Sequence, residues 1–169
     1  MAKNFEIERK LLIAMPDAGV LTAMEGAGCD EILQTYLLSA AGVTARVRMR
    51  KGKSGTVYTA TEKRRLTDLT AIEDEREVTE EEYRALLSRR DPTLTPIGKR
   101  RYVIPYAGQI LEIDIYPFWQ KQAVLEVELP SEDTPLVLPP FIRVIRDVSG
   151  DRRYKNVSLA REIPAEIDE

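Results

Sequence analysis

Charged residues recur two positions apart in seven stretches of the chain. Glu6, Glu8 and Lys10 form one set, Arg46, Arg48 and Arg50 another, and Thr59, Thr61, Lys63 and Arg65 a third. Glu73, Glu75 and Glu77 follow, then Lys99 with Arg101, Glu112 with Asp114, and Glu126 with Glu128. Successive side chains of a β-strand point to opposite faces, so each set shares one side of a sheet. The sets are segregated by sign, whereas a solvated sheet face favours mixed signs because like neighbours repel. The alternative to a solvated face is a barrel with this face turned inward. Clustered inward carboxylates are stable when they bind cations or hold protons, and clustered guanidiniums when they hold anions. A divalent cation bound to a polyanion meets both demands together. Oxygen ligands point to Mg²⁺, Mn²⁺ or Ca²⁺, and arginine forks point to phosphate oxygens.

Composition narrows the chemistry further. The 169 residues include no histidine and one cysteine, Cys29. This excludes Ser-His-Asp and Cys-His catalysis, imidazole metal sites, thiolate zinc clusters and an internal disulfide. Apolar residues make up 43% and charged residues 31%, the composition of a globular domain. A net charge of −3 gives no global reason to bind nucleic acid. The N-terminus turns charged at Lys3 and Glu6, and no apolar run approaches the ~20 residues of a membrane span. The expectation is a cytoplasmic protein with neither membrane nor nucleic acid as partner.

The elements that must carry these sets are legible from periodicity. Strands are predicted at 5–10, 31–39, 43–50, 56–65, 71–78, 96–105, 109–116 and 122–129, with a short one at 142–148. Lys51-Gly52-Lys53-Ser54-Gly55 reads as a hairpin turn. A helix is predicted over 16–27, opened by Pro16 and closed by Gly26 and Gly28. A second is predicted from Thr79 to about residue 90, where Thr79 and Glu82 form a capping box and Asp91-Pro92 ends the run. The four-proline stretch 130–141 reads as a loop, and 151–161 as a short terminal helix. Outward faces carrying Phe5, Ile7, Val47, Met49, Val57, Ile113, Ile115, Leu125, Val127 and Leu129 await cover by the helices. The whole is one α+β domain spanning 1–169, an eight-stranded antiparallel β-barrel with a few helices packed outside. Closure into a barrel removes exposed edges.

Glu6-Ile7-Glu8-Arg9-Lys10 resembles the ExExK signature of the CYTH superfamily, the triphosphate tunnel metalloenzymes. Arg46-Val47-Arg48, Thr61-Glu62-Lys63 and Glu75-Arg76-Glu77 resemble that family's third, fourth and fifth strands. Lys99-Arg100-Arg101, Glu112-Ile113-Asp114 and Glu126-Val127-Glu128 resemble its later strands, and Asp147–Asn156 its closing segment. The likeness runs from about residue 4 to 160. It implies a tunnel with a polar lumen open to water at its ends, and hydrolysis of a triphosphate with Mg²⁺ or Mn²⁺. Inorganic tripolyphosphate is the substrate it implies first. Where some members carry a glycine-rich stretch, this chain has Tyr116–Gln122.

Roles follow from the resemblance and from phosphoryl-transfer chemistry, which asks mainly for charge neutralisation and a positioned water. Glu6, Glu8, Glu126 and Glu128 would bind one cation. Asp114, with Glu75 or Glu77 and Glu112, would hold a second cation or the attacking water. Arg46, Arg48, Lys63, Lys99 and Arg101 would grip the phosphates, Lys155 would close over them, and Lys10 would act at the terminal phosphate. Glu73 reads as an exposed strand-start charge, Arg50 and Arg65 as solvated or funnelling, and Cys29 as a small buried filler. Gln34 and Tyr36 could line the lumen. Trp119 reads as a lid or a packing anchor, and an exposed Phe118-Trp119 loop would suit a homodimer contact. Three readings compete with hydrolysis of tripolyphosphate: a class IV-type adenylate cyclase, a thiamine triphosphatase, and a non-catalytic polyphosphate or nucleotide binder.

Overall fold

The computed structural model describes residues 4–167. Met1, Ala2 and Lys3, part of the N-terminal segment considered above, lie outside them. The elements run β1 (Phe5–Ala14), α1 (Ala18–Ala23), β2 (Gly28–Leu37), β3 (Thr44–Gly52), β4 (Gly55–Arg65), β5 (Thr70–Val78), α2 (Glu80–Leu86), β6 (Ile97–Tyr106), β7 (Gln109–Ile115), β8 (Gln122–Glu128), β9 (Val144–Asp147) and α3 (Asn156–Leu159). One antiparallel sheet runs in the order β5-β4-β3-β2-β6-β7-β8-β1-β9, and β5 also pairs with β1. That extra pairing, with Glu6 opposite Ala71, closes strands β1–β8 into a barrel. β9 lies outside the closed set and extends the sheet from β1 at Leu11–Ile13.

Alternation sends the charged sets inward and an apolar set outward. The outward set is covered in two patches. Leu11, Ile13, Ile104, Leu111, Ile113 and Leu125 are buried under Leu21 of α1 and under Leu136, Leu138 and Ile142 of the proline-rich loop. Val47 and Val78 are buried under Tyr83 of α2. Helices alone were expected to cover this face, and the loop does a share of the work. Both helices start where a side chain satisfies an orphan amide. Asp17 accepts from the Val20 amide at 3.1 Å, and Thr79 from the Glu82 amide at 3.1 Å. α1 is shorter than the predicted 16–27 and begins at the Asp17 cap instead of Pro16. β2 takes up Gly28 and starts three residues before the predicted position. The helix predicted to residue 90 ends as α2 at Leu86 and tightens into a 3₁₀ turn over Leu87–Arg89.

One expectation is overturned by how the lumen is filled. Two residues beyond Lys10, Asp114 and Gln34, and two before Lys99 and Glu126, the inward positions become apolar or aromatic. Leu12, Tyr116, Tyr36, Ile97 and Val124 pack there with Trp119, Val148, Tyr154 and Leu159. That end of the barrel is therefore closed by an apolar plug built on the C-terminal segment, whereas openings at both ends were expected. The same plug corrects the 116–122 segment. Trp119 is buried, edge-on to Tyr116 and Phe118, and its indole donates to the Pro164 carbonyl at 2.9 Å. It is a packing anchor, and the segment does not present the exposed tryptophan that a dimer contact needed. Cys29, expected as buried filler, is exposed, because β2 begins at the barrel rim. No helix among the described residues is long and apolar enough to cross a membrane.

Candidate active site

The polar part of the lumen forms a cavity of about 440 Å³. Glu6, Glu8 and Lys10 reach it from β1, Glu126 and Glu128 from β8, and Glu112 from β7. Arg46 and Arg48 come from β3, Lys63 from β4, Glu75 from β5, Arg101 from β6, and Lys155 from the segment before α3. Twelve of the residues singled out by spacing or resemblance thus meet in one space. Glu73, read as an exposed charge, also lines it, as do Tyr36, Arg50 and Arg65. Glu73 is drawn in because β5 crosses β4 with Glu73 directly opposite Lys63.

Three predicted site residues lie elsewhere. Lys99 and Asp114 do not line the cavity and are fully buried, joined at 2.8 Å. Arg101 completes this group, holding Asp114 with Nε at 2.7 Å and Nη2 at 2.8 Å. Burial works against the Asp114 carboxylate, but Arg101 and Lys99 outweigh it and hold its pKa down to about 2. Burial also draws Lys99 down to about 7 against the pull of Asp114. Both therefore contact the Arg101 guanidinium or its partner carboxylate from behind the cavity lining. Glu77 is exposed near the end of β5 and also lies off the lining.

The charges left over define what the cavity can hold. Glu8 stands directly opposite Glu128, and Glu126 opposite Glu112. Like charges facing across a strand pair are destabilising without a counter-charge. Arg101 bridges the second pair, with Nη1 2.7 Å from Glu112 and Nη2 3.5 Å from Glu126. The Glu8–Glu128 pair has no such bridge among the described residues. Burial, with the Glu126 charge facing it, pushes the Glu8 carboxyl up to about 8. Glu126 goes the other way. It is buried too, but Lys10, Arg101 and Lys99 hold it well below the ordinary carboxylate range. On the far wall the imbalance has the opposite sign. Arg46 and Arg48 lie opposite Tyr36 and Gln34. Arg48 donates to the Gln34 side-chain oxygen at 3.0 Å, yet the Nε of each arginine is buried without a hydrogen-bond partner among the described residues. Burial and the nearby Arg46 and Arg101 draw Arg48 down to about 10. Buried polar atoms normally find partners, so these unfilled donors mark a place for an anion.

The lysines are held by specific contacts. Lys63 lies 2.7 Å from Glu6 and 3.7 Å from Glu73. Lys10 Nζ donates to the Tyr154 carbonyl at 3.2 Å and sits 3.2 Å from Glu126. The Lys10 backbone amide donates to the Ser149 hydroxyl at 2.9 Å, and Lys155 Nζ donates to the Ser149 carbonyl at 2.7 Å. Burial together with Arg65 and Lys10 lowers Lys155 to about 8. Sequence reasoning singled out the 147–156 segment but missed the parts played by Ser149 and the Tyr154 carbonyl. A backbone acceptor leaves no residue-type signal.

A closed antiparallel barrel that sorts carboxylates from guanidiniums around one cavity defines a triphosphate tunnel protein. No family model matches the chain. The chain is 31% identical to the inorganic triphosphatase of Nitrosomonas europaea over 164 residues, covering 94% of this chain and 99% of that protein. It also superimposes on the crystal structure of an inorganic triphosphatase with a TM-score of 0.58 at 28% identity, covering 98% and 99% of the two chains. A protein of Pyrococcus horikoshii shares the fold, with a TM-score of 0.55 at 21% identity over 75% of this chain and 80% of that one. The chain belongs to the inorganic triphosphatase family of the CYTH superfamily.

Proposed function

We propose that the chain hydrolyses inorganic tripolyphosphate to pyrophosphate and phosphate in this cavity, with Mg²⁺ or Mn²⁺ as cofactor. The observation that carries the reading is the paired imbalance: among the described residues, a Glu8–Glu128 pair with no cationic bridge on one wall, and on the other Arg46 and Arg48, each with a buried Nε that has no hydrogen-bond partner. A cation bound to a polyanion neutralises both at once. Among the described residues no three acids stand together as a ready cage. The carboxylates would close on a cation as it binds, with water and phosphate oxygens completing its shell.

Glu6, Glu8, Glu126 and Glu128, with Glu112, would hold the cation. When bound it supplies charge neutralisation on the phosphate oxygens and aligns the phosphate chain. The protein's own side chains do the rest. Arg46, Arg48 and Arg101 grip non-bridging oxygens, and Lys63 and Lys155 flank them. Glu75, whose carboxylate accepts from Thr61 at 2.9 Å, holds the attacking water. The water oxygen bonds to the terminal phosphorus, and the bridging P–O bond breaks with its electron pair leaving on pyrophosphate. The water's proton passes to Glu75 and then to solvent. Lys10, fixed by Glu126 and the Tyr154 carbonyl, stabilises charge developing at the terminal phosphate. Buried Asp114 and Lys99 keep Arg101 aimed. A cytoplasmic setting goes with this reading.

The cyclase and thiamine triphosphatase readings need a pocket for a ring, and among the described residues Tyr36 is the one aromatic side chain on the cavity lining. The test is a melting curve with tripolyphosphate, with and without Mg²⁺. A ligand that binds only the folded state raises the melting temperature by mass action. The reading expects a clear rise with both present and a much smaller one in Arg48→Met. No rise at millimolar ligand would overturn it.

A further inference from the structure

The C-terminal plug has an outer face as well as an inner one. Its inner side gives Lys155, Asn156 and Val157 to the tunnel cavity. On its outer side lies a separate groove of about 580 Å³, to which Val157 also contributes. Four arginines converge on that groove from three places: Arg146 of β9, Arg152 and Arg153 of the turn before α3, and Arg161 after it. Two acids nearby, Asp151 and Glu162, leave the positive charge in excess. Arg153 and Arg146 are both tied to Asp151, at 2.7 Å and 3.5 Å. Their guanidiniums also lie 5.6 Å from the Tyr154 ring centre, which fixes their position. Arg152 and Arg161 form no ion pair among the described residues and are exposed. Pro164, Ala165 and Ile167 add apolar surface to the lining.

We propose that this groove is a second, non-catalytic ligand site that takes a nucleoside phosphate. Arginine forks bind phosphate oxygens in a way that single exposed lysines do not. A purely electrostatic anion site needs no apolar wall, whereas a small-molecule site combines a few placed polar groups with apolar surface. The tunnel lining is dominated by charged side chains, with Tyr36, Val43 and Val157 among its few apolar ones, so the two sites select different ligands: a bare phosphate chain inside, and a phosphate carried on a ring outside. Nothing in the catalytic proposal requires the outer groove, so each stands or falls by itself.

Trp119 provides the readout. It is the one tryptophan, and it bonds to the Pro164 carbonyl and packs 6.1 Å from the Tyr154 ring, both parts of the groove wall. ADP is titrated with chelator present while Trp119 emission is followed, in wild type, in Arg48→Met and in Arg152→Glu/Arg161→Glu. Pyrophosphate is titrated beside it in Arg48→Met, where the tunnel's own phosphate grip is weakened. The proposal expects saturable ADP binding that Arg48→Met leaves within about twofold and the double charge reversal weakens at least tenfold. Pyrophosphate should bind the groove at least fivefold more weakly than ADP. An unchanged melting temperature in the double variant shows that it is folded. The proposal is overturned if Arg48→Met abolishes ADP binding, which would put the nucleotide in the tunnel. It is also overturned if the folded double variant binds ADP like wild type, or if pyrophosphate matches ADP.

Discussion

The Glu8 carboxyl is the place where metal binding and pH should be linked most tightly. Its pKa is pushed from 4.5 to about 8, chiefly by burial and then by Glu126. Each tenfold in acidity is about 1.4 kcal/mol, so leaving Glu8 ionised without a cation costs the metal-free protein about 5 kcal/mol. The sign follows from linkage. Between pH 4.5 and 8 the folded metal-free protein holds a proton on Glu8 that the unfolded chain has released. Its stability therefore falls as pH rises through that window. A divalent cation must displace this proton, so cation affinity should rise about tenfold per pH unit up to pH 8 and level off above it. The assay is calorimetric titration of Mg²⁺ with tripolyphosphate at pH 6 to 9, in buffers of differing ionisation enthalpy. At pH 7 about one proton should be released on account of Glu8. In Glu8→Gln that proton should vanish, together with most of the stabilisation by Mg²⁺. Cation affinity independent of pH, or the same proton release in Glu8→Gln, would refute the reasoning.

Further outcomes follow from other contacts. Lys10→Ala should lower kcat by roughly 10²-fold or more and change KM little, since its charge acts on the transition state; steady-state kinetics decides it. Arg48→Met should raise the melting temperature of the ligand-free protein, because replacing a buried charge that lacks an ionic partner is often stabilising, while weakening tripolyphosphate binding. Asp114→Asn should cost about 3–5 kcal/mol in a urea melt even with chelator present, since it strands Lys99 and Arg101; a loss seen only with metal would make Asp114 a ligand instead. Ala107 sits at φ +51, a left-handed conformation in the β6–β7 turn, so Ala107→Gly should stabilise by about 1 kcal/mol. That is a rise of roughly 2–4 °C in melting temperature.

How far the sequence carries depends on which physical signal each feature leaves. Period-two alternation is strong, and it placed β1, β3, β4 and the cavity-lining Glu6, Glu8, Arg46, Arg48 and Lys63 on one face. Sign segregation told that face from a solvated one. Depth along the strand has no such signal. Glu112 and Asp114 are equivalent by alternation, yet Glu112 reaches the cavity and Asp114 is sealed under it with Lys99. Glu75 and Glu77 separate in the same way, because barrel stagger sets which residue of a strand lies at cavity height. The plug was illegible for a related reason. Alternation leaves Tyr36 in the lumen or in the outer core alike, and only the closed barrel shows that it fills the inside with Leu12, Tyr116 and Val124. Trp119 could not be told from a lid until its partners Tyr154 and Pro164 were in place.

The central claim is that the lumen hydrolyses a phosphate chain held between carboxylate-bound cation and arginines. Phosphate release measured with Mg²⁺, Mn²⁺ or Ca²⁺ from tripolyphosphate, ATP, thiamine triphosphate and pyrophosphate tests it most directly. Fast release from tripolyphosphate with Mg²⁺ or Mn²⁺, with far slower release from the other three, is the predicted result. Release from none of them, or release from ATP or thiamine triphosphate that outpaces tripolyphosphate, would contradict it.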